Sequence, residues 1–445
     1  MRMMFLSGIV LLTAMAQVWA KDEPGNSPNP AAVDEVKSGK RTTANAAWWG
    51  FNEDDVTDSL QAAINSGAKT VIIPNVGQDW VVRPIRLAGN QELILERGVV
   101  VTAKRGEFHE GGDSVFTAAD VDHLTIKGEG ATIRMQKEDY IVGLVLKDLG
   151  WNRWFGQYTK AEWRMTLAIR GCNDVTVEGL KLADSGGDGI YIDGGNRQRF
   201  SRKIVLRKVH CDNNYRQGIS VISVDDLLIE DSQFNNTWGT PPSAGIDIEP
   251  DSPDHRLTGI VVRNCEFLDN YGDGIEVFLA HQTKDSEPVS ILFDNCRINS
   301  RRGPGMRVTK MPDNGVRGSI TFQNIVVENT EGFGIKVQDK SPNTAHLSFI
   351  NCRLRSTARN RSYADGWAPI VFRRNDKKEV TQFGGVEFRD CAIEDHRDRP
   401  PVLFIDLPEI VDLNGNLTVK NPNTSWQNQE KERPGQSLKL SPNTN

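Results

Sequence analysis

Apolar and polar residues alternate in short runs along most of this chain, and one of these runs recurs at a nearly constant interval. Six times a glycine is followed by an apolar residue, a variable residue and a second apolar residue, at intervals of 27 to 31 residues. The six glycines are Gly189, Gly218, Gly245, Gly274, Gly305 and Gly334. Period-two alternation predicts β-strands, and a fixed period of this length predicts a solenoid in which each repeat covers its neighbour's open face.

A second strand-like run follows in each repeat, and nothing with helical periodicity and length interrupts the series. One position of this second run is shared by four cysteines, with valine, serine or isoleucine in other repeats: Cys265, Cys296, Cys352 and Cys391. Cysteine that alternates with valine and isoleucine behaves as a small buried hydrophobe, and stacked in-register side chains suit a disulfide poorly. The pattern therefore predicts one all-β solenoid domain over residues 46–417, with free thiols in its core.

The segments at the two ends have other compositions. Residues 1–20 are typical of a secretory signal peptide, with Arg2, an apolar run and a small-residue site ending at Ala20, and they predict a secreted or periplasmic protein. Residues 21–45 and 418–445 are polar and rich in proline and asparagine, so that a flexible leader and a disordered tail are predicted.

Two further segments are predicted to adjoin the solenoid. Residues 54–67 have apolar side chains on one helical face, aspartates at the start and a glycine at the end, which predicts a helix that caps the first coil. Residues 139–163 are rich in aromatic side chains and predict an inserted loop. Ligand contacts are commonly found on such loops, because the scaffold beneath them is rigid.

The charge balance narrows the classes of partner. The formal net charge is −6 at pH 7, and about −7 once Arg2 is removed with the signal peptide. No basic patch results, which argues against nucleic acid as the main partner. No segment after the signal peptide is apolar enough to predict a membrane span.

The repeated glycine–apolar strands with local connections resemble the right-handed parallel β-helix superfamily, which includes pectate lyases, polygalacturonases, alginate epimerases and phage tailspikes. The resemblance covers most of residues 46–410. It implies an all-β, right-handed parallel β-helix with an N-terminal capping helix. It also implies a polysaccharide as partner, with acidic polysaccharides among the candidates, and we expect the chain to be a monomer.

Strand alternation predicts which side chains of the repeats face outward from this solenoid. The residue between the two apolar positions points out, and so does the residue after them. The inner row is Tyr191, Ser220, Asp247, Glu276, Arg307 and Lys336, and the outer row is Asp193, Ile222, Glu249, Phe278, Thr309 and Gln338. Four carboxylates, those of Asp193, Asp247, Glu249 and Glu276, are therefore predicted to share one exposed patch.

These four carboxylates are the candidate catalytic residues of a glycoside hydrolase that needs no cofactor. Counterparts one coil apart lie about 4.8 Å apart and residues i and i+2 about 6.7 Å apart. Carboxylates about 6.5 to 9.5 Å apart fit an inverting hydrolase and those about 5 Å apart a retaining one, and both remain open. Crowded like charges should raise at least one pKa, as a general acid requires. The alternative interpretation is a plain ladder of salt bridges.

The candidate substrate-binding residues surround this patch: Tyr191, Tyr215, Arg216, Arg307, Lys336 and Trp238. Arginine can bind a substrate carboxylate or sulfate, and aromatic rings suit the apolar faces of sugars. The segment from Gly245 to Glu249 stands where polygalacturonases have an Asn-x-Asp phrase, and the paired aspartates and Gly-His-Gly of that family are absent.

Two other functions remain open. The resemblance also implies a calcium-dependent polysaccharide lyase or uronate epimerase, in which Asp193, Asp247, Glu249 and Glu276 would hold Ca²⁺ and Arg307 or Lys336 would be the base. The third hypothesis is a non-catalytic carbohydrate-binding protein that uses the same groove.

Overall fold

The computed structural model describes residues 25–140, 163–360, 368–397, 399–421 and 436–442. Within these ranges the chain forms a parallel β-helix, because each strand pairs in parallel with its counterpart in the next coil. This confirms the predicted fold class. Helices are short and lie at the start of the chain, at Pro30–Lys37, Ala46–Trp49 (a 3-10 helix) and Thr57–Ile64.

The six repeated glycine–apolar runs lie side by side in one sheet of eleven strands, which we call the site sheet. Its strands are Ile85–Arg86, Phe116–Ala119, Leu167–Arg170, Ile190–Asp193, Ile219–Val221, Ile246–Ile248, Ile275–Phe278, Met306–Met311, Ile335–Lys340, Ile370–Arg373 and Val402–Ile405. Their register aligns Ile219 with Ile190 on one side and with Ile246 on the other, as the sequence period predicts.

The remaining strands close the other faces of the coils. They are Thr43–Asn45, Thr70–Ile73, Trp80–Val82, Gln91–Leu95, Val100–Ala103, Asp122–Arg134, Asn173–Ala183, Ser201–Arg207, His210–Asp212, Val224–Glu230, Gln233–Asn235, Leu257–Arg263, Glu266–Asn270, Val289–Asp294, Arg297–Ser300, Gly318–Gln323, Val326–Glu328, His346–Ile350, Arg353–Arg355, Gln382–Glu394, Glu409–Lys420 and Gln436–Pro442.

The core is a column of apolar side chains inside the coils. Phe293, Phe322, Phe349 and Phe388 stack along the axis with ring centroids 4.9 to 5.3 Å apart. All six cysteines are free and buried, as the sequence predicts for the four that share one position of the repeat. Side chains alternate between the two faces of each strand. In-register stacking of the inward-facing side chains therefore also aligns the outward-facing side chains of successive coils.

The start of the chain is partly as predicted. The predicted capping helix is present at Thr57–Ile64, where Leu60 and Ile64 are buried against the first coil. The prediction of a flexible leader over residues 21–45 is wrong from residue 30 onward. The helix Pro30–Lys37 buries one apolar face, and Thr43–Asn45 pairs with the strand Thr70–Ile73.

The predicted disordered tail, residues 418–445, is also wrong where the structure describes it. Glu409–Lys420 pairs in parallel with Gln436–Pro442, so that the solenoid continues by one more coil. The reason is that Leu417 and Leu438 each supply a buried side chain within a mostly polar segment. Residues 1–20 and nearly all of the predicted insertion at 139–163 lie outside the described residues. None of the helices that the structure describes is long and apolar enough to cross a bilayer.

Candidate functional site

The inner row of the site sheet is assembled as the sequence predicts. The register pairs Ser220 with Asp247, Asp247 with Glu276, and Glu276 with Arg307. Tyr191 precedes this series and Lys336 follows it. Successive members therefore stand one strand spacing, about 4.8 Å, apart at their backbones.

The predicted exposure of this row is wrong for its two central acids. Asp247 is 1% exposed and Glu276 4% exposed, whereas Asp193 and Glu249 are half-buried. Strand alternation places all four side chains outside the coil, but long side chains from neighbouring coils contact Glu276 and the Ser220 side chain beside Asp247. Arg216 Nη1 lies 3.5 Å from Ser220 Oγ, and Arg307 Nη1 donates to Glu276 Oε1 at 3.2 Å.

Asp247 is held by a neutral amide from the preceding turn. Gln217, which is fully buried, donates from Nε2 to Asp247 Oδ2 at 2.7 Å. Its Oε1 accepts the Ala244 N–H at 2.8 Å, and because a backbone N–H can only donate, this contact fixes the orientation of the amide. Asp247 Oδ1 is buried and has no hydrogen-bond partner among the described residues.

Glu276 is held by a guanidinium group instead. Arg307 contacts Glu276 Oε1 and also the carboxylate of Asp273, with Nε 2.7 Å from Oδ2 and Nη2 2.9 Å from Oδ1. Asp273 is fully buried. One arginine thus serves two buried carboxylates on the same coil, which leaves Glu276 Oε2 without a hydrogen-bond partner in the described part of the chain.

Burial raises the pKa of both central acids. Desolvation, with added repulsion from Glu276 and Glu249, lifts the pKa of Asp247 well above its usual range. Desolvation and the nearby Asp273 raise the pKa of Glu276 to about 8, although Arg307 opposes the shift. Burial therefore favours the protonated form of both acids, which is a property of general acids.

Asp193 lies at the other end of the predicted patch and has different partners. It accepts a hydrogen bond from Tyr191 Oη at 3.2 Å and one from the Gly194 N–H at 2.7 Å. Arg170 lies over the Tyr191 ring, 4.7 Å from its centroid. Burial raises the pKa of the Asp193 carboxyl above its usual range.

A pocket of about 570 Å³ opens beside these residues. It is lined by Gly111, Gly112, Trp163, Arg170, Tyr191, Arg216, Ile222, Glu249 and Asp251. Of the four predicted catalytic carboxylates, Glu249 alone is among these lining residues. Arg216 connects the pocket with a buried acid. Its Nη2 lies 3.5 Å from Oε2 of Glu249, which lines the pocket, and its Nη1 lies 3.7 Å from Oδ2 of the fully buried Asp188.

The structure does not bring all the predicted binding residues to this pocket. Tyr191 and Arg216 line it. Tyr215 is buried in a turn, and Trp238 is exposed outside the pocket. Arg307 and Lys336 lie further along the inner row, where burial and the neighbouring Arg307 lower the pKa of Lys336 to about 8.

Three residues of this region had no assigned role in the sequence analysis. Gln217 and Asp273 both stand directly before a repeated glycine, and that shared position was a usable signal. Arg170 precedes the six regular repeats, but it pairs in register with Asp193 and so extends the outer row by one coil.

The four carboxylates proposed as calcium ligands do not fit such a site as they are placed. Asp247 accepts from Gln217, Glu276 contacts Arg307, and Glu249 contacts Arg216. Within the described ranges no group of three or more His, Cys, Asp or Glu side chains is arranged to hold a metal ion.

Comparisons with known proteins agree with this architecture. A family model described as "Right handed beta helix region" matches residues 162–290. Among curated proteins, the uncharacterized protein YclG of Bacillus subtilis is 25% identical over 267 residues, which are 53% of this chain and 43% of YclG. The chain thus spans less than half of that relative's length.

Solved structures give the same result at lower identity. The A-module of the mannuronan C-5 epimerase AlgE4 from Azotobacter vinelandii has a TM-score of 0.55 at 14% identity, over 89% of this chain and all of that module. A family 28 exopolygalacturonase from Yersinia enterocolitica has a TM-score of 0.53 at 13% identity, over 84% of this chain and 78% of that enzyme. At these identities the likeness establishes the shared fold.

Proposed function

Because the chain is a right-handed parallel β-helix protein with acids gathered on one sheet, we propose that it is a glycoside hydrolase acting on a polysaccharide. One observation carries the proposal: Glu249 lines an open pocket beside two buried acids. Asp247 is two residues away on the same strand segment, and Glu276 is on the next coil. The polysaccharide-acting names of the solved β-helix neighbours support the substrate class.

In this proposal the carboxylates have different roles. Glycoside hydrolysis needs one acid to protonate the leaving oxygen and a second carboxylate to activate water or attack the sugar. Burial, with the repulsion of neighbouring acids, favours the protonated form of Asp247, so Asp247 is the proposed general acid. Glu249 is the proposed base or nucleophile.

Two arginines support an acidic sugar as the substrate unit. Arg170 and Arg216 both line the pocket, and guanidinium groups bind carboxylates and sulfates through paired hydrogen bonds. Arg216 also contacts Glu249. A substrate anion that draws Arg216 away would free this carboxylate and open the path to Asp247.

The test is the release of reducing ends from a panel of neutral and acidic polysaccharides by the purified protein. We expect Asp247→Asn and Glu249→Gln each to abolish hydrolysis without unfolding the chain. The matched control is Glu266→Gln, which changes a carboxylate on the face formed by Glu266–Asn270, away from the site sheet. Full activity in both site variants would disprove the assignment of these residues.

A second candidate function is a polysaccharide lyase or uronate epimerase. The observation that favours it is Lys336, whose lowered pKa of about 8 eases loss of the proton, so that the amine could act as the base beside a sugar carboxylate. Lyase action leaves an unsaturated sugar that absorbs ultraviolet light, and hydrolysis does not. Absorbance that disappears in Lys336→Met but survives in Asp247→Asn would favour this candidate over the hydrolase. Binding without turnover across the panel would instead support the non-catalytic hypothesis.

We also propose that the protein is exported and acts as a monomer. The signal-like residues 1–20 are the reason for proposing export. Sequencing the N-terminus of the mature protein would locate cleavage after Ala20 if the proposal holds, and the mass of the protein in solution tests the monomer.

A further inference from the structure

Trp238 and Tyr271 are exposed aromatic residues that the pocket does not use. They are 45% and 43% exposed and lie on the turns before the strands Ile246–Ile248 and Ile275–Phe278. The other large apolar side chain that is exposed in the described part of the chain is Trp163, which lines the pocket. A second aromatic surface therefore exists outside the pocket.

The Trp238 ring is held from below and at its edge. The ammonium group of Lys137, which is fully buried, lies 4.1 Å from the ring centroid. Lys137 Nζ also donates to Asn213 Oδ1 and to the Asn214 carbonyl oxygen, each at 3.1 Å. Trp238 Nε1 donates to the same Asn213 Oδ1 at 2.9 Å. These contacts leave part of the indole open to solvent while they fix its orientation.

The backbone at Trp238 is fixed as well. The Trp238 N–H donates to the Asn214 carbonyl at 3.1 Å, and the Thr240 N–H donates to the Tyr215 carbonyl at 3.2 Å. Between them, Gly239 has a φ of +145°, and a Cβ at this position would lie 2.3 Å from the Tyr215 carbonyl oxygen. Only glycine allows the two turns to approach so closely.

Tyr271 is the neighbour of this ring on the next coil. Its N–H donates to the carbonyl of Thr237 at 2.8 Å, which places Tyr271 one coil beyond Trp238. Its hydroxyl accepts a hydrogen bond from Arg302 Nη1 at 2.7 Å. The two aromatic residues therefore follow the solenoid axis, with a backbone rise of about 4.8 Å between them.

The buried lysine beneath Trp238 is the feature that calls for a functional explanation. Taking an ammonium group out of water is unfavourable, and burial lowers the pKa of Lys137 to about 7. A solvent-exposed tryptophan needs no such support for stability alone. A fixed ring binds a ligand more tightly than a mobile one, because less conformational freedom of the side chain is lost on binding.

We propose that Trp238 and Tyr271 form a second carbohydrate-binding surface, on which successive sugar rings of a polysaccharide stack while the chain extends along the turns. Aromatic rings offer the flat apolar face that sugar rings present on one side. The choice of ligand class rests on the proposed function. The surface itself is separate from the pocket, so that it binds the polymer without taking part in the chemistry.

The experiment is affinity electrophoresis of the full chain in gels containing polygalacturonate, alginate or hydroxyethylcellulose. Binding is measured in a Glu249→Gln background, so that no cleavage occurs. We expect Trp238→Ala and Tyr271→Ala each to weaken binding about 3- to 10-fold, the range for one aromatic contact, and the double variant to weaken it further. The control is His123→Ala, a surface change on the strand Asp122–Arg134.

A further variant tests the support beneath the ring. We expect Lys137→Met to shift the fluorescence of Trp238, measured as the difference from the corresponding Trp238→Phe protein, and to weaken binding although both aromatic rings remain. Thermal unfolding of each variant separates this effect from loss of fold.

Several outcomes would overturn the proposal. One is a Glu249→Gln parent that binds none of the three polymers, and another is a double variant that binds like this parent. A third is a wild-type dimer that Trp238→Ala converts to monomer, because the surface would then serve a second copy of the chain. The protein could also bind polysaccharide through Trp238 and Tyr271 and yet cleave none. That result would disprove the proposed hydrolase function and support the second binding surface.

Discussion

Asp247 and Glu276 occupy the same position on consecutive strands, yet different groups hold them. A neutral amide, that of Gln217, donates to Asp247, whereas a guanidinium group, that of Arg307, lies between Glu276 and Asp273. Both acids are buried, but Arg307 is the cation in hydrogen-bond contact with Glu276, and Asp247 relies on a neutral donor. The comparison shows that a repeated position does not imply a repeated role: the chemistry depends on the residue that reaches over from a neighbouring turn.

The largest effect is expected from removal of Arg307, the residue that contacts Glu276 and Asp273. We expect Arg307→Leu to lower the free energy of unfolding by about 3 to 5 kcal/mol near neutral pH, because it leaves the buried carboxylate of Asp273 without its cationic partner. Urea titration measures the change. Arg307→Lys is the matched control, since it keeps the charge and should recover part of the loss. Equal stability of Arg307→Leu and wild type would mean that Asp273 is neutral in the folded protein as well.

The hydrogen bond that Gln217 donates to Asp247 is tested by removal of the Gln217 amide. We expect Gln217→Met to destabilise the chain by about 1 to 3 kcal/mol, since a buried acceptor loses its donor. We also expect it to raise the pKa of Asp247 further and to shift the alkaline limb of the pH–activity profile upward. Gln91→Met is the control, because the Gln91 amide is buried but donates to the backbone carbonyls of Ile64 and Ala68. An identical pH profile in wild type and Gln217→Met would show that Gln217 only fills space.

The pH dependence of stability gives a smaller effect with a definite sign. The pKa of Glu276 is raised to about 8, so that folding favours its protonated form. This stabilisation is complete below the pKa of an unfolded glutamate, about 4.3, and is lost as the pH rises towards 8. We expect Glu276→Gln, which keeps a neutral side chain, to flatten the fall in unfolding free energy over this range. A slope unchanged in Glu276→Gln would assign the proton to another group.

The weakest effect is expected at an ion pair on the outer face. Arg297 Nε lies 2.7 Å from Glu328 Oε1, closer than Arg307 lies to Glu276, but both partners are accessible to water. We expect Arg297→Ala to change the free energy of unfolding by less than about 1 kcal/mol, and the loss to shrink further in salt. A loss as large as that of Arg307→Leu would contradict the view that burial, rather than distance, sets the strength of these contacts.

The sequence was sufficient for the fold and for the order of residues along the inner row. Strand alternation and a repeat of constant length determine both, which is why Asp247, Glu276 and Arg307 align as predicted. It was not sufficient for burial. Whether Asp247 faces water depends on where the long side chains of Arg216 and Gln217 lie, and these come from turns outside the alternating pattern.

The ends of the chain were mispredicted for a related reason. Composition suggested disorder for residues 30–45, 418–421 and 436–442, but a segment that stacks on an existing coil needs only one buried face. Val33 and Val36 provide that face at the start, and Leu438 provides it at the end. A mostly polar sequence can therefore be ordered when a neighbouring strand already presents unpaired backbone groups.

The in-register stacking of the coils also sets fixed distances along the axis between residues on different coils. Because Asp247 and Glu276 stand on consecutive coils, their separation along the axis is one coil rise, about 4.8 Å, and no side-chain rearrangement can change it at the backbone. Insertion of one complete coil between them would double that distance and leave the hydrophobic column continuous. For the proposed hydrolase, the length of polysaccharide bound between the two acids could then change by whole coils, without redesign of either acid or of the residues that hold it.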